Sequence, residues 1–176
     1  MAQPPPVVGS RRTASCAGPA ARSRAEAAIA AVTTEFEELG DAAPGRDGAD
    51  DGPLSWAGYA DSRARATART GEEESVVHGI ASVGGRRCVL VSFEFGFLGG
   101  SLGRRTGDRL EAAYDTARTR ALPLVSLIAT GGSRMQEGMV ALTQLQRVAR
   151  ASHSAAQAWS DRFMILPRSL RGSASR

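Results

Sequence analysis

Residues 122–149 read LPLVSLIATGGSRMQEGMVALTQLQRVA. An unbroken apolar run, two adjacent glycines and a stretch of helical composition follow one another without a spacer. Apolar runs that do not alternate belong to strands buried on both faces, so LPLVSLIA is expected to be one. Met135, Met139, Leu142 and Leu145 recur at helical spacing and are expected to form the buried stripe of the next helix. Working outward, GFLGGSLGRRTGDRLEAAYDTARTRA, residues 96–121, places Leu110, Ala113, Tyr114 and Ala117 on one helix face. Before it, ESVVHGIASVGGRRCVLVSFEF, residues 74–95, divides into two β-rich runs joined at Gly84-Gly85, a dipeptide suited to a two-residue hairpin turn. Strand, helix, strand, helix predicts a βαβ crossover on a parallel sheet, and so an α/β fold.

Upstream, GYADSRARATARTG has helical composition. A further piece, RAEAAIAAVTTEFEELG, carries Ile29, Val32 and Phe36 at helical spacing, with Gly40 as its expected stop. The Gly, Pro and Asp density of DAAPGRDGADDGP reads as a linker, which places a boundary near Pro53. Residues 1–52 are accordingly expected to be a disordered or mobile segment, helix included.

Composition excludes several functions. The chain of 176 residues has the size and mix of one globular domain, with 22 basic against 18 acidic residues and a formal charge of +4. Every basic residue is arginine, dispersed among acids, and no basic block is interleaved with aromatics, which argues against a nucleic-acid partner. Cys16 and Cys88 have no partner at C-x-x-C spacing, so neither a zinc site nor a disulfide framework is indicated. The opening MAQPPPVVGSRR lacks the apolar core of a signal peptide, and no apolar run reaches membrane-spanning length. The expectation is a cytoplasmic protein with no membrane association.

Two junctions look alike. FGFLGGSLG and IATGGSRMQEG each set Gly-Gly-Ser between a strand and a helix. Glycine lets a backbone N–H approach a ligand closely, and the first N–H groups of a helix are unpaired at the positive end of its dipole. Two such turns brought together could stabilise a carbonyl oxygen that gains negative charge during a reaction. Either pair taken alone reads equally as a sharp turn.

The stretches at residues 53–103 and 122–149, with their paired Gly-Gly-Ser motifs and R-M-Q-E-G, resemble the carboxyltransferase β subunit of bacterial acetyl-CoA carboxylase and related biotin-dependent acyl-CoA carboxyltransferases. The resemblance implies a crotonase-like ββα superhelix that binds coenzyme A, of which only the N-terminal part is expected here. It implies transfer of a carboxyl group from carboxybiotin to acetyl-CoA, giving malonyl-CoA for fatty-acid synthesis. Biotin would ride on a biotin carboxyl carrier protein, ATP would be used by a separate biotin carboxylase, and an α-type carboxyltransferase subunit or domain would complete the site. Carried over by residue, the oxyanion-stabilising N–H groups fall on Gly131 and Gly132, while Gly99, Gly100 and Ser101 match the other wall of the acyl-CoA site. His78 and His153 supply no nucleophile–base pair. Arg134 and Glu137 read as an ion pair at a helix start.

The resemblance covers residues 53–151 and leaves 152–176 as a divergent tail containing Trp159, Phe163, Met164, Ile165 and Leu166. The zinc ribbon with which many β subunits begin has no counterpart, since Cys16 stands alone, and no metal is expected. Two alternatives stand beside the leading reading. One is another crotonase-fold CoA enzyme, such as a hydratase or a malonate decarboxylase subunit. The other is a non-enzymatic truncated product.

Overall fold

The computed structural model describes residues 13–14, 23–41, 51–158 and 163–167. In chain order the elements are β1 (Thr13–Ala14), α1 (Arg24–Val32), β2 (Glu35–Glu38), α2 (Tyr59–Thr70), β3 (Val76–Val83), β4 (Arg86–Phe93), α3 (Arg104–Thr119), β5 (Leu124–Ile128), α4 (Met139–Ala158) and β6 (Phe163–Pro167). The strands form a single sheet whose spatial order is the chain order. Pairing is antiparallel from β1 to β4, then parallel from β4 to β5 and from β5 to β6. The β4–α3–β5 segment is the expected crossover, and β3, β4 and α3 form a ββα unit.

The hairpin follows from local chemistry. Gly84 and Gly85 both have positive φ, 57° and 76°, as a type I′ turn requires. That turn sets Val83 opposite Arg86 and fixes the register back to Val76 opposite Phe93. Successive side chains then leave on opposite faces. Val76, Ile80, Val89, Val91 and Phe93 join Leu124 and, from α3, Leu110, Ala113 and Ala117 in one apolar cluster. Val77, Ala81, Cys88 and Leu90 join Ala25, Ile29 and Phe36 in a second cluster on the other face. The face of α3 is the one its periodicity predicted, with Tyr114 partly buried at its edge. β5 is less enclosed than its composition predicts, since Val125, Leu127 and Ile128 are only partly buried.

The segment expected to be mobile contributes to this core at residues 23–41. Ser23 and Glu26 close a capping box at the start of α1, and the buried carboxylate of Glu94 accepts the N–H of Ala25 at 2.8 Å. The helix stops at Val32, well before Gly40, because Thr33 turns extended and its hydroxyl donates to the carbonyl of Ile29 at 2.8 Å. Phe36 is therefore a strand residue of β2, buried against the sheet. At its far end Asp41 accepts from Arg105 at 2.6 Å and from Arg109 at 2.5 Å. Both arginines lie on α3, and their charges hold the Asp41 carboxyl below its usual range although burial opposes the shift. Packing thus begins ahead of the expected boundary at residue 53.

α4 corrects a second expectation. Met135 and Met139 are 72% and 70% exposed, and Leu142 and Leu145 are each 47% exposed. The helix instead buries Ala141, Gln144 and Ala155. It packs on α3, where a β-carbon at Gly107 would lie 2.3 Å from the Gln144 side chain. Small residues and a glycine let the two helices approach, and Arg147 spans them through Asp108 and Glu111. α4 also runs on to Ala158 and β6 pairs with β5, so regular structure continues past residue 151. Cys16 and Trp159 lie outside the described residues.

Candidate functional site: two stitched glycine turns

The two Gly-Gly-Ser turns meet. The Gly131 N–H donates to the Gly99 carbonyl at 2.9 Å, the Leu102 N–H to the Gly132 carbonyl at 2.8 Å, and the Arg134 N–H to the Leu102 carbonyl at 2.9 Å. Leu102 and Ser133 thereby form a parallel bridge. Gly100, at φ 66°, presses so closely on the end of β5 that an added β-carbon would stand 2.2 Å from the Ala129 carbonyl oxygen. Here the missing side chain is what allows the turns to touch.

The geometry separates the two candidate donors. The N–H of Gly131 is committed to Gly99, whereas among the described residues that of Gly132 bonds only the exposed Thr130 hydroxyl, at 3.1 Å. Gly132 has φ 99°, and a β-carbon there would meet nothing within 4 Å among the described residues. Space for a ligand therefore adjoins Gly132. Gly99 and Gly100 lie in a short 3-10 turn, and Ser101 ends it in extended conformation. Neither glycine pair lies in the first turn of an α-helix. Gly131 and Gly132 precede a 3-10 turn, Met135–Glu137, and α4 begins only at Met139. A helix dipole is correspondingly not what polarises this loop.

Behind the turns is a buried polar cluster. Arg134 is 1% exposed, and its guanidinium donates to acceptors from four separate stretches of the chain. Its Nη1 donates to Glu74 at 3.1 Å, to Glu137 at 3.2 Å and to the Tyr59 hydroxyl at 3.3 Å. Its Nη2 donates to Glu74 and, at 2.8 Å, to the Ser101 carbonyl; its Nε donates to the Ser101 hydroxyl at 3.1 Å. The Tyr59 hydroxyl donates to Glu137 at 2.5 Å, and the second oxygen of Glu137 accepts the Arg104 N–H at 2.6 Å, at the start of α3. The Phe97 ring lies 5.6 Å beneath the guanidinium.

Charge pairing decides the ionisation here. Burial favours a neutral Glu74, but the adjacent Arg134 outweighs it and holds the carboxyl below its usual range. The same pairing raises Arg134 against the opposing effect of its own burial. Tyr59 is raised, first by burial and then by Glu137, with Arg134 opposing, so its hydroxyl remains a donor. His78 is buried in β3, and burial together with the Arg109 charge lowers it to about 4. His153 lies on α4, exposed to solvent. Among the described residues no cluster of His, Cys, Asp and Glu could hold a metal ion, and no helix is long and apolar enough to cross a membrane.

Periodicity and motif reading located the turns but missed Tyr59 and Glu74. Glu72, Glu73 and Glu74 form one acidic run, yet the Glu73 side chain is 65% exposed and that of Glu74 2%. Nothing in the run itself distinguishes them: Glu74 is buried against Arg134, sixty positions later, and Glu72 against the Ser23 hydroxyl, forty-nine positions earlier. Arg134 and Glu137 do form the ion pair expected of them, but inside the protein.

The carboxyl transferase domain family model matches residues 52–165, and so extends beyond residue 151. The acetyl-coenzyme A carboxylase carboxyl transferase subunit beta of Rubrobacter xylanophilus is 39% identical over 99 residues, covering 56% of this chain and 38% of that protein. A probable biotin-dependent acyl-coenzyme A carboxylase beta3 subunit of Mycobacterium tuberculosis is 46% identical over 93 residues, covering 53% of this chain and 19% of that protein. Among solved structures, a Pseudomonas malonate decarboxylase hetero-tetramer in complex with malonate aligns at 26% identity and TM-score 0.45, over 53% of this chain and 34% of that one. The chain thus spans well under half the length of these relatives. With its β3–β4–α3 unit and both glycine turns inside the matched residues, the chain belongs to the carboxyl transferase domain family.

Proposed function

We propose that the chain provides the acyl-CoA side of a biotin-dependent carboxyltransferase, with acetyl-CoA as acceptor and malonyl-CoA, a precursor for fatty-acid synthesis, as product. The observation that carries this reading is the stitched pair of turns, which among the described residues leaves the Gly132 N–H bonded only to an exposed hydroxyl beside open space. A thioester oxygen arriving there would replace the Thr130 hydroxyl and accept the N–H. As the α-carbon gives up its proton, which the ureido nitrogen of biotin would take on losing its carboxyl group, that oxygen gains negative charge, and a fixed donor stabilises the change more than it stabilises the bound substrate. Gly131, its own N–H occupied, shapes the loop. Gly99, Gly100 and Ser101 form the facing wall. Carboxybiotin, carried by the biotin carboxyl carrier protein, supplies the carboxyl group.

The exposed stripe of Met135, Met139, Leu142 and Leu145, with Leu54 and Trp56 also exposed, supports assembly with an α-type carboxyltransferase subunit, since contiguous apolar surface marks interaction sites. Biotin carboxylase would recharge the carrier with ATP, and the cytoplasm is the compartment this chemistry implies.

The test is carboxyl transfer from carboxybiotin to acetyl-CoA, measured with the α-type subunit supplied, for the wild type and Gly132→Val. A β-branched side chain at Gly132 fills the space the oxygen must enter, and loss of the donor is expected to lower kcat about a hundredfold. A folded Gly132→Val variant turning over at the wild-type rate removes the oxyanion role. Failure of the wild type to carboxylate any acyl-CoA refutes the function itself.

A further inference from the structure

Arg134 belongs to one glycine turn and grips the other. Its N–H reaches the Leu102 carbonyl, and its side chain reaches both the carbonyl and the hydroxyl of Ser101. The rest of the guanidinium is held by Glu74, Tyr59 and Glu137, so the cation has one orientation. Glu137 also holds the first N–H of α3, which follows the Gly99–Gly100 turn in sequence. A core arginine kept for its charge alone would need only the carboxylates. Here separate nitrogens serve separate partners: Nε the Ser101 hydroxyl, Nη2 the Ser101 carbonyl, Nη1 Tyr59 and Glu137.

We propose that Arg134 is a positioning residue for the thioester site: it sets the separation of the two glycine turns, and so the placement of the Gly132 N–H, without touching substrate. The proposal rests on the oxyanion reading of Gly132 given above. It requires the planar fork as well as the charge. Lysine carries its charge on one nitrogen and cannot serve Ser101 and both carboxylates together.

Two variants of the full chain test this. Arg134→Lys keeps the charge and removes the fork. Glu74→Met/Arg134→Met removes both members of the buried pair, so that neither is left facing an empty partner; Glu137 keeps its bonds from Tyr59 and Arg104. The first measurement is amide hydrogen exchange at Gly131, Leu102 and Arg134, the three donors of the stitch, against Val89 and Leu90 in β4. In a folded variant the stitch amides are expected to exchange at least about tenfold faster while β4 keeps its protection, as a local opening requires. The second is the kinetic split for Arg134→Lys, where kcat is expected to fall by more than KM rises. Wild-type protection of the stitch in a folded variant overturns the proposal. So does a loss of protection shared equally by β4, or failure of both variants to fold, since either makes Arg134 a core residue only. If the wild type carboxylates no acyl-CoA, it is the thioester reading that has failed, and the exchange result still decides whether Arg134 holds the turns.

Discussion

Two buried regions lie side by side and are held by different physics. Between α3 and the sheet, Val76, Val89, Val91, Leu110 and Ala113 fill space with groups that have no preferred partner. Beneath the glycine turns, Tyr59, Glu74, Arg134 and Glu137 are comparably buried, but each polar atom of the cluster answers to a named one. Apolar contact is nondirectional, so the first region responds to volume and tolerates exchange of similar side chains. The second responds to pairing. A charge left there without its counter-ion costs far more than the intact pair contributes.

The largest expected effect breaks that pairing. Arg134→Met alone leaves Glu74 and Glu137 buried without a cation and is expected to cost about 3–5 kcal/mol in urea unfolding, with the additional Glu74→Met change restoring much of the loss. If the double variant is as unstable as the single one, the cluster is held by shape, like the apolar region, and the contrast disappears.

His78 sharpens the comparison because it places an ionisable ring in the hairpin between the two regions. Its folded value of about 4 lies below the ordinary 6.5, so the unfolded chain takes up the proton first. The stability it contributes is fully present above pH 6.5 and is lost as pH falls towards 4, by about 3 kcal/mol in all. Glu74 and Asp41 are held below their usual values of 4.5 and 3.8 and so begin to lose their contributions only at or below the bottom of this range. Melting temperature measured from pH 7 to 4 should fall for the wild type and stay nearly level for His78→Phe; parallel curves would show that His78 is not the group responsible.

The smallest effect is expected on the outer face of α4. Leu142→Gln, at a site 47% exposed, should change the unfolding free energy of the isolated chain by less than about 0.5 kcal/mol. A cost of several kcal/mol would mean that this face is packed in solution and belongs with the apolar region after all.

These contrasts explain which parts of the molecule were legible in the sequence. The hairpin was, because Gly84-Gly85 determines its turn within two residues. So was the inward face of α3, whose partner is the broad apolar surface of the sheet. α4 carries two stripes, and the more apolar one faces outward because its partner, α3, presents Gly107 and charged residues that suit Ala141, Gln144 and Arg147. Periodicity ranks stripes by hydrophobicity and cannot see what the neighbouring element offers. The glycine turns were found as motifs, and their meeting was anticipated. That Gly131 would bond Gly99 while Gly132 remained available depends on the register between the turns, which no local pattern encodes. Residues 23–41 were misjudged because the linker-like composition after them says nothing about whether β2 can pair with β3.

The sheet's strand order has a consequence for biosynthesis. Because spatial order equals chain order, each strand leaving the ribosome finds its partner already made, at the open margin of what came before. None of the six described strands has to insert between two that are already paired. The hairpin can form as soon as residues 76–93 are free, closing over the shortest stretch of chain in the sheet with little loop-closure entropy against it, and β5 waits only for the intervening helix. Nascent molecules of this protein can therefore acquire their sheet progressively during synthesis. The polar lock comes after the hairpin and β5 and before β6, because Arg134 must emerge before Glu74, made sixty residues earlier, receives its counter-ion.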